Sequence, residues 1–181
     1  VTGKGLAQTL SIHKSTDCGH TWTGPVEVTP ATNPNGLVDA GENALDAADK
    51  ELIDVDPDTG RVIFGWANFT PVAAGGVEMS STYTDNILSA NPAFAPRRVV
   101  ASAVPDGQGA SIQFAGNGSP NVYFAWTRYP GFYTRRIAMS RSADNGQTWS
   151  APVELTGSFI GMDEVLGNDR VNEFPSVAVD N

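Results

Sequence analysis

The chain has 181 residues, a net charge of −9 and a pI near 4.5, so it lacks the basic face that nucleic acid or an anionic membrane surface would need. Hydrophobic residues make up 40% and charged residues 17%, which excludes a disordered chain and fits one folded domain. The 19 glycines and 12 prolines favour many short strands joined by turns. No apolar run is long enough for a membrane-spanning helix.

Alternating apolar residues and turn signals divide the chain into short strands. A strand at Gly5–Ser15 is followed by a turn and a short strand at Val26–Thr29, and a long polar loop runs from Pro30 to Asp49. The turn residues of Asp56–Gly60 then separate two further strands. The later predicted strands are Glu51–Asp56, Arg61–Phe69, Val77–Ser81, Arg97–Ala101, Ala110–Phe114, Asn121–Thr127, Arg136–Ser142, Val153–Leu155 and Phe174–Asp180.

These strands recur with a period of about 60 residues. Trp126 follows Trp66 by 60 positions, and Ile137–Ser140 follows Val77–Ser80 by the same distance. A repeated four-stranded antiparallel unit is typical of a propeller blade. We therefore predict one partial propeller domain over residues 1–181: the end of one blade at 1–30, full blades at 49–101 and 108–156, and the first strand of a further blade at 172–181.

Two eight-residue segments, Ser15–Trp22 and Ser142–Trp149, share the pattern S-x-D-x-G-x-T-W, and each precedes a Pro-Val-Glu strand start. A carboxylate at the third position can accept N–H bonds within its own turn, and glycine at the fifth supplies positive φ. We therefore predict a structural rather than a catalytic role for the shared residues, with both tryptophans in the core. The shared residues are Ser15, Asp17, Gly19, Thr21, Trp22, Ser142, Asp144, Gly146, Thr148 and Trp149.

These segments resemble the Asp-box of sialidase-type (BNR) β-propellers, and the resemblance extends over essentially the whole chain. It implies an all-β fold of four-stranded antiparallel blades with Asp-box turns. A degraded box is expected at Ser81–Asp85, in the blade between the two clear copies. The family closes its ring with six blades, so the chain would form about half a propeller, completed by the remainder of its own propeller or by a second chain. The resemblance also implies a secreted or cell-surface location.

In this family the Asp-boxes lie on the face opposite the active site, which places candidate residues on the loops at the other strand ends. Sialidases use a Tyr–Glu pair as nucleophile and an Asp as acid, and an arginine cluster holds the sugar carboxylate. The family's Arg-Ile-Pro element is absent, so spacing assigns no catalytic residue. The candidates are Asp49, Glu51, Asp163, Glu164, Tyr129 and Tyr133 for catalysis and Arg128, Arg135 and Arg170 for substrate binding.

Neither a cofactor nor a metal site is predicted from a specific pattern. Asp54, Asp56 and Asp58 have the spacing of a calcium loop, but the glycine and distal glutamate of an EF-hand are missing. We interpret them as turn residues. The acidic loop from Asp39 to Asp49 suits structural Ca²⁺ by its composition, without a ligand pattern of its own.

Two hypotheses of function follow. The first is an exported glycoside hydrolase of the exo-α-sialidase type acting on glycans, favoured by the two boxes and the loops rich in acidic residues, Tyr and Arg. The second is a non-catalytic propeller that binds a glycan or a protein or scaffolds an assembly, favoured by the absent arginine element and the degraded box. Either hypothesis implies a glycan or protein partner.

Overall fold

A computed structural model of the chain describes residues 10–28, 47–69, 77–102, 107–131, 133–161 and 173–180. Within these ranges the regular secondary structure consists of antiparallel strands and includes no helix, so the protein is all-β, as its composition and alternating patterns predict. Accordingly, the described segments contain no helix long and apolar enough to cross a membrane.

The strands of the described ranges form a hairpin and two larger sheets. The hairpin consists of β1 (Ser11–Lys14) and β2 (Thr23–Glu27). The first sheet has the order β3 (Ala47–Val55), β4 (Val62–Phe69), β5 (Val77–Thr84), β6 (Arg98–Ala101). The second sheet has the order β7 (Gln108–Phe114), β8 (Val122–Arg128), β9 (Thr134–Ser142), β10 (Val153–Glu154), and β11 (Phe159–Ile160) also pairs with β9.

The first sheet is covered on both faces, which explains why β4 is buried along almost its whole length. Successive strand residues point to opposite faces. Phe64 belongs to a core cluster with Leu10 of the hairpin segment. Ile63 belongs to the other cluster, together with Phe124 and Trp126 of the second sheet. The hydrophobic core therefore consists of two layers, one on each side of the first sheet.

Gly65 allows the two larger sheets to pack closely. A Cβ at this position would overlap the ring of Phe124, which is fully buried. Because a core at this density cannot absorb an added methyl group without movement, a side chain here would force the sheets apart.

The period of 60 residues holds for the second strand of each unit but not for the third. Trp66 lies opposite Ser80, whereas Trp126 lies opposite Ala138, so Ser80 and Ala138 are equivalent and are 58 positions apart. The predicted equivalence of Ser80 with Ser140 is therefore wrong by two residues. The cause is the connection between the second and third strands, which is two residues shorter in the second sheet.

The two larger sheets are aligned so that equivalent strand ends lie together. Asp54 Oδ2, near the end of β3, accepts the N–H of Phe114 at the end of β7 (2.7 Å). Asp58 Oδ2 likewise accepts the N–H of Gly118 (2.6 Å). We call this the turn end, and we call the opposite strand ends (residues 47–51, 128–131, 133–136, 154–161 and 173) the polar end.

The three aspartates with calcium-loop spacing act as hydrogen-bond acceptors of turns. Asp56 Oδ1 accepts the N–H of Asp58 (3.1 Å) and its Oδ2 accepts the Thr59 hydroxyl (2.5 Å), while Asp54 and Asp58 reach the second sheet. Their geometry agrees with the interpretation as turn residues.

Residues 173–180 are extended and lie along the second sheet, with half-buried and exposed residues in alternation. The Thr127 hydroxyl donates to the carbonyl of Glu173 (2.6 Å), and the N–H of Val177 donates to Ser111 Oγ (3.0 Å). This segment does not pair as a strand with any described strand. Its predicted role as the opening strand of another blade stays a prediction.

Candidate functional site

The segments Ser15–Trp22 and Ser142–Trp149, here the first turn and the last turn, contain the same hydrogen bonds. In the last turn Ser142 Oγ donates to Asp144 Oδ1 (2.7 Å) and accepts the N–H of Gly146 (2.8 Å). Asp144 also accepts the N–H (2.8 Å) and the hydroxyl (2.6 Å) of Thr148. The first turn repeats these bonds to within 0.1 Å through its counterparts Ser15, Asp17, Gly19 and Thr21.

These bonds hold both carboxylates in the ionised form. The hydroxyl and N–H of Thr21, with the Ser15 hydroxyl, lower the pKa of Asp17 to about 2. Burial raises the pKa of Asp144, but its bonds to Thr148, Ser142 and Gln147 together outweigh that effect and lower it. A carboxylate stabilised in this way is a poor proton donor near neutral pH, which agrees with the structural role expected for both residues.

A third turn of the same kind, Thr84–Phe94, follows β5, and we call it the middle turn. Thr84 lies opposite Val62 as Ser142 lies opposite Val122. The Thr84 hydroxyl donates to Asn86 Oδ1 (2.9 Å), which also accepts the N–H of Ala93 (2.9 Å). Asn86 and Ala93 thus replace Asp144 and Thr148. The degraded copy predicted at Ser81–Asp85 is misplaced by three residues, because the true turn has an amide for the carboxylate and extra residues before Ala93.

The aromatic residue that closes each turn also occupies an equivalent place. Phe94 packs edge-to-face on Phe64, with 5.8 Å between ring centroids, and Trp149 packs edge-to-face on Phe124 at 5.7 Å. Phe64 and Phe124 are 60 positions apart, which is the period of the repeat. Phe94 therefore takes the place of the tryptophan of the pattern. The sequence pattern alone does not identify this equivalence.

The two tryptophans of the pattern have different surroundings. Trp149 is partly buried against the core that joins the sheets, and its Nε1 donates to Ser81 Oγ of the first sheet (2.9 Å). Trp22 is 62% exposed, and its Nε1 donates to the carbonyl of Gly19 in its own turn (3.0 Å). The predicted core position is wrong for Trp22, because, of these two turns, only the last one has a described sheet to pack against. Trp149 packs against the core cluster but stays half-buried.

Two arginines of the first sheet hold the last turn in place. Arg61 Nη1 donates to the carbonyl of Asn145 (2.9 Å), and Arg98 Nε donates to that of Gln147 (3.0 Å). Arg61 also forms a two-point ion pair with Asp85 (2.6 and 2.9 Å) and lies 4.0 Å from the ring centroid of Tyr83. Hydrogen bonding to Asp85 raises the pKa of Arg61 above its usual value, so the guanidinium stays charged.

At the polar end, Arg135 connects three parts of the chain. It is only 6% exposed, and its guanidinium carbon lies 4.3 Å from the ring centroid of Tyr129. Its Nε is 3.4 Å from Glu173 Oε2, so it pairs with the segment along the second sheet. A Cβ at Gly161 would contact Arg135 as well. The structure thus brings the candidates Arg135 and Tyr129 together, and the contacts of Arg135 hold three segments of the chain against one another.

Arg128 lies in a second ion-pair cluster at the polar end. Its Nη1 is 2.7 Å from Glu154 Oε1, and Arg136 Nη1 is 2.7 Å from Glu154 Oε2. Arg128 and Arg136 are directly opposite on β8 and β9. Because like charges opposite each other repel, a shared carboxylate between them stabilises the pair. Arg128 also lies at an open cleft of about 610 Å³ between the sheets, lined by residues 99–102, 126, 128 and 149–152.

The remaining candidates are placed as follows. Asp49 is half-buried and pairs with its neighbour Lys50 (3.1 Å), where the strand makes a bulge with Lys50 at φ 53°. Glu51 is exposed further along β3, and Tyr133 is 58% exposed before β9. Three candidates and most of the acidic loop lie outside the described residues: Asp163, Glu164, Arg170 and residues 39–46.

Among the described residues, no group of three or more His, Cys, Asp or Glu side chains is arranged to hold a metal ion.

A scan against protein-family models and a search of the curated proteins both found no match for this chain.

Sequence reasoning missed three residues of the polar end, namely Arg136, Glu154 and Glu173. Pairing β8 with β9 in the sequence would have placed Arg128 and Arg136 opposite each other and indicated the need for a carboxylate such as Glu154. The contact between Arg135 and Glu173 joins residues that are 38 positions apart and depends on the path of the connecting chain, so local patterns give no signal for it.

Proposed function

We propose that the chain forms consecutive blades of a sialidase-like β-propeller and that its polar end acts on glycans as an exported glycoside hydrolase. The observation that carries this proposal is the set of three equivalent turns, one after the hairpin strand β1 and one after the third strand of each sheet. Repeated four-stranded sheets with turns at one end leave the other end for chemistry. A secreted or cell-surface location and a glycan partner belong to the same proposal.

The chemistry proposed for the polar end uses an exposed phenol and carboxylates. Tyr133 is accessible, whereas the hydroxyl of Tyr129 is buried, so Tyr133 is the better candidate for a nucleophile. Asp49 and Glu51 supply carboxyl groups on the first sheet for acid–base work. Arg128 borders the cleft and is the arginine best placed to meet an anionic sugar.

The experiment is hydrolysis of a fluorogenic sialoside and a panel of aryl glycosides by the full-length protein. We expect turnover of at least one substrate, and a loss of about 100-fold or more in kcat for Tyr133→Phe or Asp49→Asn. Asp180→Asn, three residues beyond Val177 and exposed, is the matched control and should keep full activity. Absence of turnover on every substrate ends the proposal of an enzyme.

A second candidate, a non-catalytic propeller that binds a glycan or a protein, is favoured by the ion pairs of the polar end. Arg128 and Arg136 share Glu154, and Arg135 pairs with Glu173, so these guanidinium groups already have carboxylate partners within the chain. Binding to a glycan array without hydrolysis of any bound sugar would favour this candidate over the enzyme.

A further inference from the structure

Two asparagine–glycine pairs among the described residues share one backbone conformation. Asn117–Gly118 lies in the turn between β7 and β8, and Asn145–Gly146 lies in the last turn. The φ angle is 51° at Asn117 and 57° at Asn145, and it is 71° and 84° at the glycines that follow. Because the dipeptide and its φ angles are alike, a difference in reactivity between the two pairs must come from their surroundings.

The pair Asn117–Gly118 is open to solvent. Both residues are exposed, and a Cβ at Gly118 would have no atom within 4 Å. The N–H of Gly118 donates to Oδ2 of Asp58 (2.6 Å), in a hydrogen bond at the surface of the molecule, where water competes for both partners. This pair can therefore leave its conformation without disturbing the core.

The pair Asn145–Gly146 is held on all sides. The N–H of Asn145 donates to the Pro120 carbonyl (2.8 Å), and the carbonyl of Asn145 accepts from Arg61 Nη1 (2.9 Å). Gly146 is buried, and its N–H donates to Ser142 Oγ (2.8 Å) in a buried hydrogen bond. These contacts must open together before the Gly146 nitrogen can change its position.

We propose that Asn117 is a site of spontaneous deamidation and that the last turn protects Asn145 from the same reaction. In the first step the Gly118 nitrogen attacks Cγ of Asn117 and forms a new C–N bond. The side-chain NH₂ group leaves as ammonia, together with the proton that the Gly118 nitrogen gives up. Glycine in the second position favours this step, because it has no side chain to hinder the approach.

The first step yields a five-membered succinimide ring, which water opens in either of two ways. Cleavage of the bond between the Gly118 nitrogen and Cγ gives an aspartate at position 117. Cleavage of the bond between that nitrogen and the main-chain carbonyl carbon of Asn117 gives isoaspartate, in which the chain runs through the side chain. Water is the only other reactant, and the reaction does not depend on glycan chemistry.

The reaction changes the contact between the two larger sheets. Either product places a new carboxylate near Asp58, whose own carboxylate accepts the N–H of Gly118 at the turn end. Like charges at this distance repel. Isoaspartate also lengthens the main chain, which moves the Gly118 N–H away from its acceptor. Deamidation at Asn117 thus weakens a hydrogen bond that aligns the sheets.

The test is peptide mapping by mass spectrometry after storage of the folded chain at mildly alkaline pH. Trypsin releases the two pairs separately, in the peptides 99–128 and 142–170, and fragment ions locate the mass added when OH replaces NH₂. Deamidation at Asn145 should be at least about tenfold slower than at Asn117, because several contacts must open first. In the urea-unfolded chain the two asparagines should react at comparable rates.

Two variants separate the chemistry from the fold. Asn117→Gln removes the site, because the longer side chain closes its ring far more slowly. Stored wild type should unfold about 2–4 °C below fresh protein, the effect of one lost hydrogen bond in a chain of this size, whereas stored Asn117→Gln should keep its Tm. Arg61→Ala removes one bond to Asn145 and should speed deamidation there at least about threefold, with the rate at Asn117 unchanged.

The proposal is overturned by equal rates at Asn117 and Asn145 in the folded protein. It is also overturned if Asn117 stays intact in the folded protein while it reacts in urea. Deamidation at Asn117 without a change of Tm contradicts the effect on the contact between the sheets.

Discussion

The indole ring of Trp149 lies edge-on to the ring of Phe124, with 5.7 Å between the ring centroids and 78° between the ring planes. Since the Trp149 N–H also donates to Ser81, the side chain links the closing residue of a turn, its own sheet and the neighbouring sheet. Such a residue stabilises the contact between units more than the turn itself.

Trp149→Ala should therefore lower the free energy of unfolding by about 2–4 kcal/mol, because it opens a cavity between the sheets and leaves Ser81 without its donor. Trp22→Ala is the matched control, with an expected loss below about 1 kcal/mol, because its indole is mostly exposed. Urea unfolding of the two variants and of the wild type measures both losses of stability. Equal losses for the two variants would contradict the inter-sheet role.

Gly146→Ala should destabilise the protein by about 2–4 kcal/mol, because the new methyl group meets buried Ile63 at a residue whose φ is +84°. Gly118→Ala has a similar φ of +71° but no atom within 4 Å of the added Cβ, so it should cost about 1 kcal/mol. Thermal unfolding of both variants separates the loss of stability caused by the steric overlap from the loss caused by the positive φ. A loss for Gly146→Ala no larger than that for Gly118→Ala would exclude the overlap.

The stability of the first turn should depend on pH through Asp17. Its pKa of about 2 in the folded protein lies below the ordinary value of 3.8 for an aspartate, so its stabilising effect is complete above about pH 4. The effect is lost as the pH falls from there through about 2. Carbon-13 titration of the Asp17 carboxyl group checks this, and a midpoint at 3.8 would contradict it. Asn86, which is neutral, should keep the bonds of the middle turn over the same range.

Arg135→Ala should destabilise the protein by about 2–3 kcal/mol, because it removes a buried guanidinium that pairs with the half-buried carboxylate of Glu173. Arg128→Ala should cost less than about 1 kcal/mol, because Glu154 keeps Arg136 as a partner. Differential scanning calorimetry of both variants tests the difference. If Arg128→Ala is the more destabilising, Arg135 does not fix the segment along the second sheet.

Local patterns predicted most strands and the two clear turns, because alternation and turn chemistry act between neighbouring residues. The sequence pattern did not predict the turn at Thr84–Phe94. This turn keeps its geometry although Asn86 replaces the aspartate and the loop is longer, so the residue pattern is lost while the hydrogen bonds remain. Local patterns also did not predict the exposure of Trp22 or the pairing of Arg135 with Glu173. Both depend on which distant part of the chain lies next to the residue. Alternation within a strand carries no information about that.

The middle turn also has a practical consequence. Asn86 and Ala93 are seven positions apart, whereas Asp144 and Thr148 are four apart, yet Phe94 and Trp149 reach equivalent places. The extra length bulges into solvent near Ala90 without disturbing the aromatic pair beneath it. The middle turn thus shows that this position of the repeat accepts inserted residues. An epitope tag or a fluorophore-binding peptide grafted at Ala90 would report on this protein from a site that already tolerates additional residues.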